Sequence, residues 1–298
     1  MKKTGLTRSL KFLDERGLEL GILITDRHRQ LGKFLRDEYP EIDHLFDIWH
    51  IGKGLRKKLE AASKTPDCSD IKPWIPSIIN HLYWSAVSTP PNQGDMILSK
   101  WISVVEHVQN SHSNFGGLFP QCAHGRLEGR EIKKKWIKPC SKAITQLEAI
   151  VCSTSLKRDV RQMSGRFQTS YIEAFHSLLN HFAPKMLAFS YIGMKSRTLL
   201  AGMHFTENMG RHHLINKKGE KVYTIQYPKL KKGGNVVRCI LEDPTFEYVS
   251  ELMEMVAEMC KAGDTNHSVP DVIPPPLNAA FEKTPKAEAV AGKISRYA

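Results

Sequence analysis

The sequence predicts an α/β fold with few strands, whose core is interrupted by a mainly helical insertion. Two short aliphatic runs, at 18–25 and 45–49, are each followed by a helical pattern, and strands that alternate with helices at this spacing indicate parallel pairing. Residues 71–166 show helical patterns without a strand-like run. Apolar residues make up 41% of the 298 residues, which is enough to bury a core.

The first part of the core is predicted over residues 1–62. Leucines at helical spacing predict a first helix that ends at Gly17, and a later helix stops at Pro40 because proline cannot continue it. The elements in order are a helix over 4–16, a strand over 18–25, a helix over 27–39, a strand over 45–49 and a basic helix over 51–62.

Four further segments follow along the chain. Residues 63–166 are predicted to form the helical insertion, and residues 167–210 to complete the core. Residues 211–262 predict a basic hairpin and a C-terminal helix, and residues 263–298 contain a Pro-Pro-Pro run typical of a disordered tail. The helices predicted in these segments cover 71–88, 94–110, 142–152, 168–182, 191–205 and 245–260.

Acidic residues lie at the carboxyl ends of the predicted strands, where parallel sheets have their functional crevice. Asp26 ends the first predicted strand, and Asp47 and His50 form an Asp-x-x-His sequence at the end of the second. Glu173 lies on the predicted helix over 168–182. Carboxylates so arranged can hold the two Mg²⁺ ions used in phosphodiester chemistry. The alternatives are that Asp26 or Asp47 caps the next helix, that Asp47 orients a neighbouring histidine, and that Glu173 is solvated.

Three stretches resemble cut-and-paste DNA transposases of the DDE type. Gly-Ile-Leu-Ile-Thr-Asp-Arg-His, ending at His28, and His-Leu-Phe-Asp-Ile-Trp-His, ending at His50, are similar to the second catalytic Asp and the Asp-x-x-His motif that follows it. Gln-Thr-Ser-Tyr-Ile-Glu-Ala-Phe-His, ending at His176, resembles the helix that bears the final catalytic Glu. The resemblance covers about 4–210; Kolobok-like elements are the most similar group and Mutator-like elements the second.

The resemblance implies an RNase H-like catalytic domain with a helical insertion before the Glu-bearing helix. It implies that Asp26 and Glu173 are catalytic ligands of Mg²⁺ or Mn²⁺, with Asp47 and His50 beside the active site. In that family a first catalytic Asp lies on an upstream strand, whereas 25 residues precede Asp26 here. We therefore expect an incomplete core that lacks its N-terminal part and does not catalyse alone; the alternative is Asp47 as the third carboxylate.

The function implied is that of a transposon-derived, DNA-binding protein, a fragment of an enzyme of DNA transposition. The alternative is a domesticated nuclear module that binds DNA or protein without catalysis. An incomplete sheet leaves an open strand edge, so we also expect self-association.

The charge of the chain favours an anionic partner. Lys and Arg number 43 against 31 Asp and Glu, a net charge of +12, and basic residues cluster over 126–138 and 217–238. The sequence offers neither a membrane-length apolar run nor a secretory signal, so we expect no membrane partner and a nuclear location. Candidates for phosphate contacts are Lys53, Lys133, Lys134, Lys135, Lys195 and Arg197.

The helical insertion contains one short sequence of metal-binding residue types. Cys122-Ala-His124 offers two Zn²⁺ ligands, although its spacing is shorter than the usual Cys-x₂₋₄-Cys or His-x₃₋₅-His pair. Thiols buried or exposed on a helix face are the simpler alternative. The six cysteines lie far apart, which indicates a reducing compartment.

Overall fold

The computed structural model describes residues 2–125, 127–128, 135–229, 233–263, 273 and 284–293. It is 54% helical with few strands in small sheets, which confirms the predicted α/β class. The chain divides into two units, residues 1–170 and residues 171–298.

The first unit contains two strands and eight numbered helices among its described residues. In order these are α1 (Lys2–Asp14), β1 (Ile22–Thr25), α2 (Arg29–Glu38), β2 (Asp43–Phe46), α3 (Ile48–Ala62), a 3₁₀ helix (Ser69–Trp74), α4 (Ile75–Val87), α5 (Gly94–Ile102), α6 (Val104–His107), α7 (Lys142–Val151) and α8 (Thr154–Arg161).

The two strands of this unit pair in parallel, with Ile22 opposite Asp43 and Thr25 opposite Phe46. Helix α2 makes the connection between them, as the alternating pattern predicted. The second strand was expected over 45–49, but it ends at Phe46. The expected bounds were wrong because the Asp47 side chain accepts a hydrogen bond from the Trp49 N–H (2.8 Å) and starts α3 there.

Strand β2 is also paired on its other side, at Phe46. Its N–H donates to the Gln162 carbonyl (2.7 Å), and its carbonyl accepts from the Ser164 N–H (3.0 Å). This contact is a single parallel bridge between Phe46 and Met163. The end of β2 is therefore enclosed by β1 and by the segment that follows α8.

One large hydrophobic core joins Phe46 and α3 to the helices that follow. Along α3 the residues at helical spacing are buried: Ile48, Ile51, Leu55, Leu59 and Ala62. Trp101 of α5 is fully buried, and its indole N–H donates to the Val151 carbonyl (3.2 Å). A smaller core between α1 and α2 consists of Leu10, Phe34, Leu35 and Ile42.

The helices predicted over 71–88, 94–110 and 142–152 are confirmed with two differences in detail, whereas the described residues of 108–141 form no helix. The helix expected over 94–110 is divided into α5 and α6 at Ser103, whose hydroxyl donates to the Lys100 carbonyl (2.7 Å). Helix α8 was not predicted, although Leu156 and Val160 are buried four residues apart on one face of it.

The second unit begins with α9 (Ser170–Phe182) at its boundary and continues through α10 (Tyr191–Asn208), β3 (Tyr223–Gln226), β4 (Val236–Cys239), α11 (Glu247–Lys261) and α12 (Lys286–Ala291). Strands β3 and β4 form the predicted antiparallel hairpin, with Tyr223 opposite Cys239. Glu207 fixes the start of α11, because its carboxylate accepts from the N–H groups of Glu247 (2.9 Å) and Tyr248 (3.1 Å). A hydrogen bond from the Thr245 hydroxyl, followed by these two backbone bonds, lowers the pKa of Glu207.

Most of the tail expected to be disordered, residues 263–298, lies outside the described residues. Its described part includes α12. Among the described residues, no helix is long and apolar enough to cross a membrane.

Candidate functional site

The structure brings Asp26 and His50 together. Asp26 follows β1, and its Oδ1 lies 3.0 Å from Nε2 of His50 in the first turn of α3. Asp26 does not cap α2, since the N-cap of that helix is His28. About half of the Asp26 side chain remains exposed. The strand-end position predicted for this residue therefore holds an accessible carboxylate paired with a histidine.

Asp47 is buried and its carboxylate is used within the fold. Oδ1 accepts from the Trp49 N–H, and Oδ2 accepts from both the N–H of Thr169 (3.2 Å) and the Thr169 hydroxyl. The side chain thus caps α3 and fastens the chain at Thr169. Of the two strand-end carboxylates, Asp26 alone is therefore accessible. One carboxylate cannot hold two metal ions.

Glu173 is exposed in the first turn of α9 and belongs to the second unit. An acidic residue there also stabilises the helix, because the helix dipole is positive at its N-terminus.

The predicted phosphate-binding residues are distributed over several elements. Lys53 lies over the Trp49 ring (4.6 Å), and Lys135 Nζ is bound to Asp70 Oδ1 (2.6 Å). Arg197 donates to the Phe182 carbonyl (2.7 Å) and lies over the Phe189 ring, and Lys195 is exposed on α10. Lys133 and Lys134 lie outside the described residues. In the 126–138 cluster, the described residues are 127–128 and 135–138.

A basic cleft of about 980 Å³ lies in the first unit, beside the sheet. Two carboxylates, Asp43 and Asp159, line it with six cationic side chains: Arg27, Arg29, Lys33, Arg36, Arg158 and Arg161. Asp159 forms ion pairs with Arg27 (3.0 Å) and Arg158 (3.7 Å). Outside the cleft lining, Asp37 pairs with Arg36 and Asp95 with Arg161. Arg29 and Lys33 form no ion pair with any described carboxylate. The cleft therefore presents an excess of positive charge to solvent.

Sequence reasoning missed this cleft, although part of its signal is in the sequence. Arg29, Lys33 and Arg36 are spaced i, i+4 and i+7 on α2, so they share one exposed face. Arg158 and Arg161 on α8 come from a distant part of the chain. Burial lowers the pKa of His44, which also lines the cleft, so its ring is neutral near pH 7.

A second group of functional side chains surrounds Cys122 in the connection between α6 and α7. His107, His112, Cys122 and His124 each offer one ligand atom, and these atoms all lie within 4.8 Å of one another. Burial raises the pKa of the Cys122 thiol; burial, and then the charge of His124, lower the pKa of His112. The group could hold a metal ion, and three of its members, His112, Cys122 and His124, line a cavity of about 530 Å³.

The prediction at Cys122 and His124 identified half of this group. The sequence signal for the other half is a His-x₄-His spacing from His107 to His112, which falls within the range usual for zinc ligands. His112 and Cys122 are ten positions apart in the sequence, and the backbone bridge between Ser113 and Gln121 brings the two halves together.

Comparison with known proteins adds no relative: no family model, no curated protein and no solved structure matches the chain.

Proposed function

We propose that this chain is a transposase-derived DNA-binding protein of the nucleus, with an α/β core of RNase H-like ancestry and no DNA cleavage of its own. The observation that carries DNA binding is the basic cleft of the first unit, with six cations against two carboxylates. Such a surface neutralises phosphates of the DNA backbone and releases condensed counterions. The net charge of +12 adds long-range attraction.

The residues of the cleft suit backbone contact rather than base recognition. Arg29, Lys33 and Arg36 are exposed along one helix face, where they can follow successive phosphates. Arginine guanidinium groups bind phosphate oxygens in a bidentate manner, and lysine acts as a point charge. We therefore expect affinity that depends strongly on salt and weakly on DNA sequence.

Two features support the transposase ancestry. The carboxylate Asp26 follows a strand of a parallel pair, and a segment that contains helices α3 to α8 separates that pair from the Glu173 helix. The absence of cleavage in this proposal follows from Asp47, whose two carboxylate oxygens are engaged by Trp49 and Thr169. Mg²⁺ or Mn²⁺ would have Asp26 as its accessible strand-end ligand.

The cofactor in this proposal is a transition-metal ion at the group that contains Cys122 and His124, where nitrogen and sulfur ligands favour Zn²⁺. The DNA-binding cleft shares no lining residue with that group.

The test of DNA binding is a salt series of fluorescence anisotropy on a random-sequence duplex. The double variant Arg29→Gln/Lys33→Gln should lower the slope of log affinity against log salt by about 2, since each contact contributes roughly 0.9. The matched control is Lys57→Gln/Lys58→Gln, which removes the same charge from exposed positions of α3 outside the cleft. An equal change in both variants, or none in the first, would reject the cleft as the DNA surface.

Catalysis is tested separately on supercoiled plasmid with Mg²⁺ and with Mn²⁺. We expect no nicking. Metal-dependent nicking that Asp26→Ala abolishes would show that the chain is an active nuclease, and the inactive part of the proposal would be wrong.

A further inference from the structure

We infer that His107, His112, Cys122 and His124 bind one Zn²⁺ ion in a closed tetrahedral site, and that this ion fixes the connection between α6 and α7. The ligand atoms are three imidazole nitrogens and one sulfur, all within 4.8 Å of one another. Nitrogen and sulfur ligands in this number are the set that structural zinc sites use. The site is independent of the DNA-binding cleft.

The distances around the sulfur agree with those of a zinc tetrahedron. Zn–S bonds of about 2.3 Å and Zn–N bonds of about 2.05 Å at a tetrahedral angle place nitrogen and sulfur about 3.5 Å apart. Cys122 Sγ lies 3.4 Å from Nδ1 of His107 and 3.6 Å from Nδ1 of His112. Two edges of the tetrahedron are therefore already formed. The widest separation in the group exceeds such an edge, so binding draws the four side chains closer together.

Two hydrogen bonds outside the group orient the histidine rings. Nε2 of His112 lies 3.0 Å from Oδ1 of Asn110, an acceptor that keeps the proton on Nε2 and leaves the lone pair of Nδ1 directed at the sulfur. Nδ1 of His124 lies 2.8 Å from the Gly125 carbonyl, so its Nε2 is the nitrogen left for a metal. Metal-bound histidines use their second nitrogen in this way in most zinc sites.

Aromatic rings shelter the site on one side. The rings of His107 and His112 pack edge to face against Trp136, with centroids 6.0 and 5.6 Å apart, and His107 contacts Trp74 in the same geometry. An apolar wall limits water access and strengthens the attraction between the ion and its ligands.

A closed ligand set assigns the ion a structural role. Catalytic zinc keeps a position open for water, whereas three histidines and a cysteine fill all four positions. The Cys122 thiol gives its proton to the buffer as the metal binds. The connection contains consecutive glycines with positive φ, Gly116 and Gly117, and its described pairing is one bridge and a few backbone bonds. No residue of 109–125 is buried, so an ion that joins His107 of α6 to residues 122–124 supplies a cross-link that hydrophobic packing does not provide there.

The test begins with the metal content of the full chain purified without a histidine tag. We expect one Zn²⁺ per chain by elemental analysis, and on Co²⁺ exchange we expect a thiolate-to-metal charge-transfer band together with tetrahedral ligand-field bands. Cys122→Ser should abolish the charge-transfer band. The control Cys140→Ser changes an exposed thiol of the same connection outside the group and should leave the band intact.

A second variant addresses the orienting shell without removing a ligand. Asn110→Gly suits the positive φ of that residue (64°) and should weaken Zn²⁺ affinity by about 10- to 100-fold, measured by competition with a chromogenic chelator. Asn110→Asp keeps the acceptor and should retain the affinity. Tryptophan fluorescence checks that each variant is folded.

Substoichiometric zinc that cannot be restored by added Zn²⁺ would overturn the assignment. So would a charge-transfer band that persists in Cys122→Ser, or one that is lost equally in Cys140→Ser. None of these results affects the salt dependence of DNA binding, because the two sites have no lining residue in common.

Discussion

Replacement of Asp47 by alanine should destabilise the first unit, because the side chain is buried and holds two separate parts of the chain. Asp47 is 2% exposed. Its carboxylate accepts from the Trp49 N–H at the start of α3 and from the N–H and hydroxyl of Thr169, 122 residues away. The variant Asp47→Ala therefore removes a helix cap and a long-range attachment together.

The magnitude follows from the two losses. Loss of an N-cap costs about 1 kcal/mol. Thr169 is half-buried, so leaving its N–H and hydroxyl without an acceptor adds about 1 to 2 kcal/mol. The sum is about 2 to 3 kcal/mol, a large share of the roughly 5–15 kcal/mol that stabilises a typical domain. Asp47→Asn should lose about half as much, because its amide keeps an oxygen for Trp49 but offers Thr169 a donor.

Urea unfolding followed by tryptophan fluorescence reports the stability of the first structural unit. All five tryptophans of the chain lie within residues 1–170: Trp49, Trp74, Trp84, Trp101 and Trp136. A loss of about 2 to 3 kcal/mol at an m-value of about 2 kcal/mol per molar lowers the midpoint by about 1 to 1.5 M. The control Asp37→Ala removes an exposed carboxylate of α2 that contacts Arg36 at 3.7 Å, and it should leave the midpoint unchanged.

A double-mutant cycle measures how much the contact between Asp47 and Thr169 contributes to the free energy of unfolding. Thr169→Ala should cost about 1 kcal/mol in the wild-type background and almost nothing in Asp47→Ala, since contacting residues couple. A free energy of unfolding of Asp47→Ala within about 0.5 kcal/mol of wild type, or strictly additive effects of the two substitutions, would refute the reasoning.

Two further predictions concern the helical part of the first unit. Burial lowers the pKa of His81, whose Nε2 lies 2.7 Å from the Lys100 carbonyl. Below about pH 6.5 the unfolded chain therefore binds more protons than the folded chain, and the urea midpoint should fall as the pH drops. The fall should be smaller in His81→Gln. Gly165→Ala would place a Cβ 2.3 Å from the Ala86 carbonyl oxygen and should cost about 1–3 kcal/mol or more by the same assay. Gly5→Ala is the control, because nothing lies within 4 Å of its Cβ; a loss equal to that of Gly165→Ala would contradict the steric explanation.

Local patterns predicted much of the secondary structure because they act over a few residues. The aliphatic run that ends at Thr25 became β1, and Gly233-Gly234 lies in the connection of the β3–β4 hairpin. The bounds of β2 were predicted less well. A run of apolar residues does not show where a ladder stops, and here a single carboxylate at Asp47 decided it.

Sites built from distant segments could be predicted only in part. The sequence placed Asp26 and His50 after two strands, and parallel pairing then brought them to 3.0 Å. The basic cleft combines α2 with α8, and nothing in either pattern shows that they meet. The group of His107, His112, Cys122 and His124 needed the pairing of Ser113 with Gln121, a contact that no periodicity indicates.

The bridge between Phe46 and Met163 also constrains the order in which the chain can fold. The two residues are 163 − 46 = 117 positions apart, so β2 gains its second neighbour only after a long loop closes. Arg27–Asp159 and Asp47–Thr169 span similar distances along the chain. During synthesis, residues 1–60 leave the ribosome long before these partners are made. The edge of β2 that later pairs with Met163 keeps unpaired backbone groups until then. Helix α4 contacts α3 and α5, its neighbours in sequence, and these contacts can form before the long-range ones. We therefore expect the sheet to gain its second neighbour after these helices have packed.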